Sequence, residues 1–397
     1  MTLNGRRVVL GVSGGIAAYK SCILARRLTE SGAAVDVVLT AAATEFVRPL
    51  TFEALTRRPV LSSLWERGRA LSHVELARDA ELIVLAPATA NLLARAAQGI
   101  ADDLLTAILL AAEVPVVAAP GMNDAMFAHP ATQANLTTLR ERGWLIVGPA
   151  VGALAEGPSD RPGRMAEPEA ILVQAERLLR AAGSALRDRH VVVTAGPTRE
   201  QLDPVRVITN PSSGRMGYRL AEAAYARGAR VTLIAGPTTL EPPVGPDLVR
   251  ITSTAELCAA LEQSLPQADV LLMAAAPADF RPAERSDAKR PRADGPLTLS
   301  LEPTPDVLER TAAARRPGSV VVGFALEVGS GLTRAREKLD QKRLDLVVLN
   351  RVDEPGSGFE VDTNRITLIT RDGHEESELM TKRAAAEVIL DRVERLL

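Results

Sequence analysis

Gly11-Val12-Ser13-Gly14-Gly15 stands between an apolar run, Val8-Val9-Leu10, and a stretch with helical spacing. A glycine-rich turn in that place aims backbone N–H groups and the positive end of a helix dipole at an anion. The Ser13 hydroxyl is expected to add a donor. The spacing is not G-x-G-x-x-G, and no acid ends the next strand to take a ribose. The turn therefore suits a mononucleotide phosphate, with a plain tight turn as the competing reading. A second anion cradle is expected at Ser212-Ser213-Gly214, where another helix begins. Lysine is sparse: Lys20, Lys289, Lys338, Lys342 and Lys382 are the five, and three lie between 289 and 342. Arginine does nearly all other cationic work. Lysine concentrated in one region suggests a need for compact ammonium groups, with chance clustering as the alternative. Lys338 and Lys342, four apart, share one face of a helix.

Four more segments carry candidate ligand contacts. Thr40 ends the second strand, and Ala86-Pro87-Ala88-Thr89-Ala90-Asn91 follows the strand Leu82-Ile83-Val84-Leu85. Asp102-Asp103-Leu104-Leu105-Thr106 opens a helix, and Ala119-Pro120-Gly121-Met122-Asn123-Asp124-Ala125-Met126 follows the strand Val114-Pro115-Val116-Val117. Three of these lie at the carboxyl ends of predicted strands, where open α/β sheets place ligands. In the second half, roughly twenty residues separate the strand ending at Ala195 from the helix near Gly214. An insertion of that length at a ligand-facing turn points to function.

Positioning these residues requires strand–turn–helix–strand units, and the chain opens with one twice. The first runs from Arg7-Val8-Val9-Leu10 through a helix to Glu30 and on to Val35-Asp36-Val37-Val38-Leu39. The second runs from His190-Val191-Val192-Val193 through a helix ending at Arg227-Gly228 to Val231-Thr232-Leu233-Ile234. Further apolar runs at 270–273, 320–322 and 346–349 read as parallel strands covered on both faces. The fold class expected is α/β, with two doubly wound, mostly parallel-sheet, Rossmann-like domains. They are expected over 1–185 and 190–397, with a linker at 182–189 and an exposed loop at 291–296.

The chain has 397 residues and a formal charge of −2, which gives no basic excess for nucleic acid or a membrane surface. Cys22 and Cys258 are too few for a disulfide framework, and Cys22 reads as a small core residue. The first residues run straight into a strand, with no apolar run long enough to span a bilayer, so the cytoplasm is expected.

Ser13-Gly14-Gly15-Ile16-Ala17, Pro87-Ala88-Thr89-Ala90 and Pro120-Gly121-Met122-Asn123-Asp124-Ala125-Met126 together resemble the flavin mononucleotide cysteine decarboxylases. The resemblance implies a flavodoxin-like first domain that holds FMN through Ser13, Gly14, Gly15, Thr40, Pro87, Ala88, Thr89 and Thr106. It implies Met122 at the substrate and His73, in Ser72-His73-Val74-Glu75-Leu76, as the base. In that family a peptide-like cysteine is oxidised to a thioaldehyde, CO₂ leaves, and the enethiolate is protonated and reduced. Asn123, with neutral donors and an acceptor, suits the substrate carboxylate. Gly152-Ala153-Leu154-Ala155-Glu156-Gly157 and Pro162-Gly163-Arg164-Met165 resemble the family's mobile flap, but Glu156 stands where the family has a proton-donating cysteine. The segment also looks one residue longer than the usual pattern. A closed apolar flap that kept the Glu156 carboxyl protonated would let it take over the cysteine's task. A decarboxylase that stalls at, or releases, the enethiol is the competing expectation.

Thr194-Ala195-Gly196-Pro197-Thr198-Arg199-Glu200, Asp203 to Asn210, Ser212 to Gly217, Ala274 to Phe280, Thr304 to Leu308, Val322 to Glu327 and Lys338 to Lys342 resemble the phosphopantothenate–cysteine ligases, over essentially all of 190–397. The resemblance implies activation of a carboxylate by CTP with Mg²⁺, giving an acyl-cytidylate and pyrophosphate, followed by displacement of CMP by the cysteine amine. Asp279, Lys289, Asp306, Phe324, Lys338 and Lys342 fall on its nucleotide positions. Asn210 would hold the acyl-cytidylate, and Arg206 would meet the substrate phosphate. Asp287 departs from the pattern where the family has a basic residue, although Lys289 and Arg290 keep positive charge there. Taken together, the resemblances imply a bifunctional coenzyme A biosynthesis enzyme. They imply a homo-oligomer too, with trimeric flavin domains and dimeric ligase domains. The alternatives are a flavin-binding regulatory module, or an oxidative peptide-cysteine decarboxylase that stops at the enethiol.

Overall fold

The computed structural model of the protein describes residues 3–65, 71–289, 297–327, 329, 331–351 and 361–397. Arg290, and with it the loop expected at 291–296, lies outside the described residues. Contacts divide the chain into two units, Met1–Leu179 and Arg180–Leu397.

The first unit is built on β1 (Arg7–Val12), β2 (Ala34–Leu39), β3 (Leu82–Ala88), β4 (Val116–Pro120) and β5 (Leu145–Ile146). All pair in parallel, in the order β2-β1-β3-β4-β5. That is the flavodoxin order, and it places a ligand crevice between the carboxyl ends of β1 and β3. Alternation along β1 assigns the two faces. Val8, Leu10 and Val12 pack with the helices Ala18–Glu30 and Pro168–Ala181, while Val9 joins the opposite core. Two short strands, β6 (Ala150–Val151) and β7 (Pro162–Arg164), form an antiparallel pair outside the sheet. The segment between them, turned tightly by mutual Leu154 and Gly157 backbone bonds of 2.8 and 3.1 Å, is the expected flap.

The second unit runs β8 (His190–Ala195), β9 (Arg199–Gln201), β10 (Val207–Thr209), β11 (Arg230–Ala235), β12 (Asp247–Arg250), β13 (Val270–Met273), β14 (Phe280–Pro282), β15 (Leu301–Pro303), β16 (Val320–Glu327), β17 (Leu346–Arg351), β18 (Thr363–Asn364), β19 (Ile366–Thr370), β20 (Gly373–Glu376) and β21 (Met380–Thr381). Its main sheet is ordered β12-β11-β8-β13-β16-β17-β19-β20. The first six strands are parallel and repeat the doubly wound 3-2-1-4-5-6 order. The last two are antiparallel, an edge that the apolar runs did not announce. The long insertion after β8 is the hairpin β9–β10.

The segment expected as a linker is packed into the second unit. Leu186 is fully buried in its core, and Arg180 donates two bonds to Glu387 at 3.0 and 2.6 Å. Among the described residues, no helix is long and apolar enough to cross a membrane.

Two candidate active sites

The first cavity, of about 780 Å³, opens at the carboxyl ends of β1 and β3. Ser13, Gly14, Gly15, Thr40, Thr89, Met122, Asn123 and Glu156 all line it. The N–H groups of Gly14 to Ala17 have no backbone partner among the described residues, as at any helix start, and so offer donors to an anion. Gly14 is required by space. A Cβ there would lie 2.4 Å from the Cβ of Ala42 and 2.7 Å from its carbonyl carbon. The turn can thus close onto Thr40–Ala42 only without a side chain. This bare backbone cradle fits a single phosphate, and the cavity volume suits a cofactor of flavin size.

Ser13 plays a different part from the one expected. Its hydroxyl is buried, donates to the Pro87 carbonyl at 2.7 Å and accepts from the Thr89 N–H at 3.0 Å. Its one proton is committed to joining β1 to β3. Pro87 and buried Ala88 stand behind the cavity wall and do not line it. Thr106 likewise faces inward. It forms a capping box with Asp103 and accepts from Arg95 at 3.4 Å. Arg95 and Asp103 line the cavity in its place, with Arg95 bonded to both Asp102 and Asp103.

Asn123 caps the short helix Asp124–Ala128, its Oδ1 accepting from Ala125 at 2.8 Å and Met126 at 3.3 Å. The expected acceptor is therefore used, and the amide can serve a ligand only as a donor. Its Nδ2 donates to Glu156 Oε1, which brings the flap to the floor. The flap's base rests on the same turn. Met122 N–H donates to the Gly163 carbonyl at 3.0 Å, and a Cβ on Gly163 would come within 2.8 Å of the Met122 carbonyl. Glu156 is exposed, so the apolar enclosure the sequence reading asked for does not surround it within one chain. His73 lies on the helix Ser72–Asp79 and does not line the cavity, and its buried Nδ1 lacks a hydrogen-bond partner among the described residues. A residue the sequence reading did not assign is Lys20. Buried on the cavity wall, it donates to Glu167 at 2.9 Å, just beyond the flap.

The second cavity, of about 560 Å³, opens at the carboxyl ends of β13, β16 and β17. Asn210, Asp279, Asp306, Phe324 and Lys338 all line it. Asn210 Nδ2 donates to the carbonyls of Pro277 at 2.9 Å and Ala276 at 3.4 Å, so the amide group is fixed with its oxygen as the remaining function. Lys338 donates to the Phe324 carbonyl at 2.7 Å. Burial pushes its pKa down, against opposing pulls from Asp306 and Glu327. Asp306 caps the helix Val307–Arg310 and pairs with Lys342 at 3.1 Å. Burial alone would raise the Asp306 pKa, but the Glu309 N–H and Lys342 outweigh it and hold it low. For Lys342 burial is likewise outweighed, by Asp306 and Glu309, and its pKa is pushed up. Lys342 thus stands behind Asp306, outside the cavity lining. Lys289 is exposed and outside the lining, and half-buried Arg206, which bonds Asp203 at 3.2 Å, is outside it too. Among the described residues, no group of three or more His, Cys, Asp or Glu is arranged to hold a metal ion.

Residues 1–179 match the family described as Flavoprotein, and residues 186–397 match the DNA/pantothenate metabolism flavoprotein C-terminal domain. A coenzyme A biosynthesis bifunctional protein, CoaBC, of Vibrio vulnificus (strain YJ016) is 43% identical over 100% of this chain and 99% of its own. The CoaBC protein of Bacillus subtilis (strain 168) is 44% identical, covering 99% of this chain and 98% of its own. That of Mycobacterium tuberculosis (strain ATCC 25618 / H37Rv) is 47% identical over 93% and 91%. This chain belongs to the CoaBC family. It is a bifunctional enzyme of coenzyme A biosynthesis, with a flavoprotein decarboxylase half and a ligase half. Full-length similarity to bifunctional CoaBC proteins does not favour a regulatory module or a lone peptide-cysteine decarboxylase. The family's two halves meet the two cavities in order, the flavoprotein match ending at the same residue as the first unit.

Proposed function

We propose that the second half joins 4′-phosphopantothenate to cysteine at the expense of CTP, and that the first half decarboxylates the product to 4′-phosphopantetheine with FMN. The supporting observation is the convergence of Asn210, Asp279, Asp306, Phe324 and Lys338, from distant parts of the chain, in one cavity. There the acid's carboxylate oxygen attacks the α-phosphorus of CTP, and pyrophosphate leaves. The cysteine amine then attacks the acyl carbon, CMP leaves, and the amine loses a proton. With its N–H groups engaged by Ala276 and Pro277, Asn210 offers Oδ1 to accept a hydrogen bond from that amine. Lys338 is positioned for the nucleotide, and the Glu309 N–H together with Lys342 keeps Asp306 ionised and in place. Mg²⁺ would arrive with the nucleotide, with Asp279 as its protein contact. Lys289 and Arg206 would reach the substrates only from outside the cavity as it stands.

FMN held by the Gly14–Ala17 turn supplies the two-electron chemistry of decarboxylation. Asn123 donates to the substrate carboxylate, which takes the place of Glu156 Oε1 on Nδ2. Glu156 is left at the mouth of the same subsite, where its carboxyl, once closure of the flap keeps it protonated, serves as the acid that protonates the enethiolate. His73 acts as base in the cavity of a neighbouring copy, since it does not line its own. That role fits a trimer of flavin domains joined by ligase dimers. Exposed Ile16, Tyr19 and Ile23 provide an apolar face beside the cavity for such a contact. The same reading places the enzyme in the cytoplasm.

The test is one coupled reaction of purified protein with phosphopantothenate, cysteine, CTP and Mg²⁺, followed by mass analysis. Pyrophosphate and 4′-phosphopantetheine are expected. No pyrophosphate would remove the ligase assignment. A decarboxylated product lighter by two hydrogens would remove Glu156 as the acid.

A further inference from the structure

Lys20, Leu24 and Leu28 recur at four-residue spacing along the helix Ala18–Glu30, and all three are buried. A lysine thus stands on the helix face that packs into the core of the first unit, with its side chain only 8% exposed. An ammonium in that place is costly to keep unless a carboxylate meets it. The carboxylate is that of Glu167, whose Oε1 accepts from Lys20 at 2.9 Å, and the Met165 carbonyl accepts from the same ammonium at 3.5 Å. Both acceptors belong to the short segment between β7 and the helix Pro168–Ala181, which is the base of the flap.

Glu167 Oε1 has a second donor. Arg164, the last residue of β7, reaches it at 2.6 Å. Arg164 pairs with Ala150 across the two arms of the flap, and its side chain lies along Gly152, where an added Cβ would come 3.1 Å from the guanidinium. An ion pair between Arg164 and Glu167 alone, three residues apart and about half exposed, would fix little. Lys20 gives Glu167 a definite place, because it is held in a packed helix. One oxygen therefore joins a buried cation of the scaffold to a cation of the flap, and both cations line the first cavity.

The tip of the flap is held differently. Glu156 accepts from Asn123, and Ser159 donates to Asp124 at 2.7 Å. In the decarboxylase reading above, on which this inference rests, the substrate carboxylate takes Asn123 Nδ2, so the tip loses that contact at every turnover. The base of the flap must then bring Glu156 back. We propose that Lys20 is a positioning residue for the flap. Acting through Glu167 and Arg164, it holds closed the segment that carries Glu156, and so sets whether the enethiolate is reduced or released. In reduction the enethiolate takes a proton from Glu156 and a hydride from the reduced cofactor. In release it leaves as the enethiol, and dioxygen must reoxidise the cofactor before the next turnover.

Lys20→Met, Arg164→Gln and Arg164→Lys in the full-length, flavin-loaded protein test it through two readouts. The first needs no turnover: a glutamyl-specific endopeptidase cuts the Glu156–Gly157 bond, and mass analysis follows the fragments. Lys20→Met and Arg164→Gln should be cut about tenfold faster than wild type, the scale of one charge-assisted bond, with Arg164→Lys in between. The second is the ratio of enethiol to 4′-phosphopantetheine formed from phosphopantothenoylcysteine in air. It should rise about tenfold in the same two variants, and Arg164→Lys should restore part of the loss. Cleavage and ratio both at wild-type values overturn the proposal. A ratio that moves without faster cleavage would make Lys20 a substrate contact, and faster cleavage with an unmoved ratio would leave a fastening without influence on the product; each overturns it too. If Lys20→Met does not fold, Arg164→Gln decides by the same outcomes, since it leaves the Lys20–Glu167 pair in place. If wild type itself releases only the enethiol, Glu156 fails as the acid, and cleavage alone decides whether Lys20 holds the flap.

Discussion

In the first cavity, Lys20 donates to Glu167, and Arg95 is held between Asp102 and Asp103, so each of these wall cations already has a carboxylate. In the second, Lys338 donates to a backbone carbonyl, that of Phe324. Both cavities sit at the carboxyl ends of parallel strands, so topology does not explain the difference. Ligand charge does. One phosphate of a resident cofactor is met by bare backbone at a glycine turn. The triphosphate proposed for the second, which must arrive, break and leave, would be met by Lys338, a cation held by a carbonyl and not by a carboxylate. The first site is built for retention and the second for exchange.

Substitutions can break that contrast. The largest effect is expected from Gly14→Ala, whose Cβ would collide with the Ala42 backbone and push the turn off its cradle. Flavin retained after purification, read by visible absorbance, should fall more than about tenfold, since an interaction of 1.4 kcal/mol is already worth that factor. Pyrophosphate release from CTP should be unaffected, because the second unit has its own core. Next, Lys338→Met should lower kcat/KM for CTP about tenfold to a hundredfold, the range for a charge-assisted bond, with flavin content unchanged.

Ser13→Ala sharpens the comparison by separating structure from ligand contact. If the hydroxyl only ties β1 to β3, the variant should lose about 1–3 kcal/mol of stability yet keep its flavin. Loss of flavin from a first half that melts as wild type would contradict the geometry.

These residues also show where sequence reading stops. The strand–turn–helix starts were legible because glycine and proline punctuate them, and both parallel sheets followed. Candidates such as Gly14, Asn123, Asn210 and Phe324 were legible because motif and strand end coincide. The direction of the Ser13 proton was not, since it depends on a carbonyl seventy-four residues away. Nor was the pairing of Lys342 with Asp306, which moves that lysine out of the cavity. Lys20 escaped for a related reason. A lysine in a helical stretch reads as solvated, and burial is a property of packing. The edge strands β19 and β20 were hidden because their alternation is short and partly polar.

The smallest effect is expected from Asp306→Asn, which keeps the helix cap but removes the charge that pairs with Lys342. The folded-state pKa of Asp306 is depressed, so its contribution is present above the unfolded value of about 3.9 and is lost as pH falls through the depressed value. Lys342 is raised, so its share persists below about 10.4 and disappears as pH rises through the raised value. Melting temperatures of wild type and variant should therefore differ most between these limits and converge in acid. For this partly exposed pair the difference should correspond to less than about 1 kcal/mol.

Buried Leu186 has a practical consequence for anyone who separates the two halves. A fragment started at His190, where the sheet begins, would forfeit that plug and the Arg180–Glu387 clasp together. The vacated hole alone would cost about 2–5 kcal/mol, a large part of a domain's margin. A ligase half cut free upstream of Arg180 should survive as a working protein, whereas one trimmed to its first strand should aggregate.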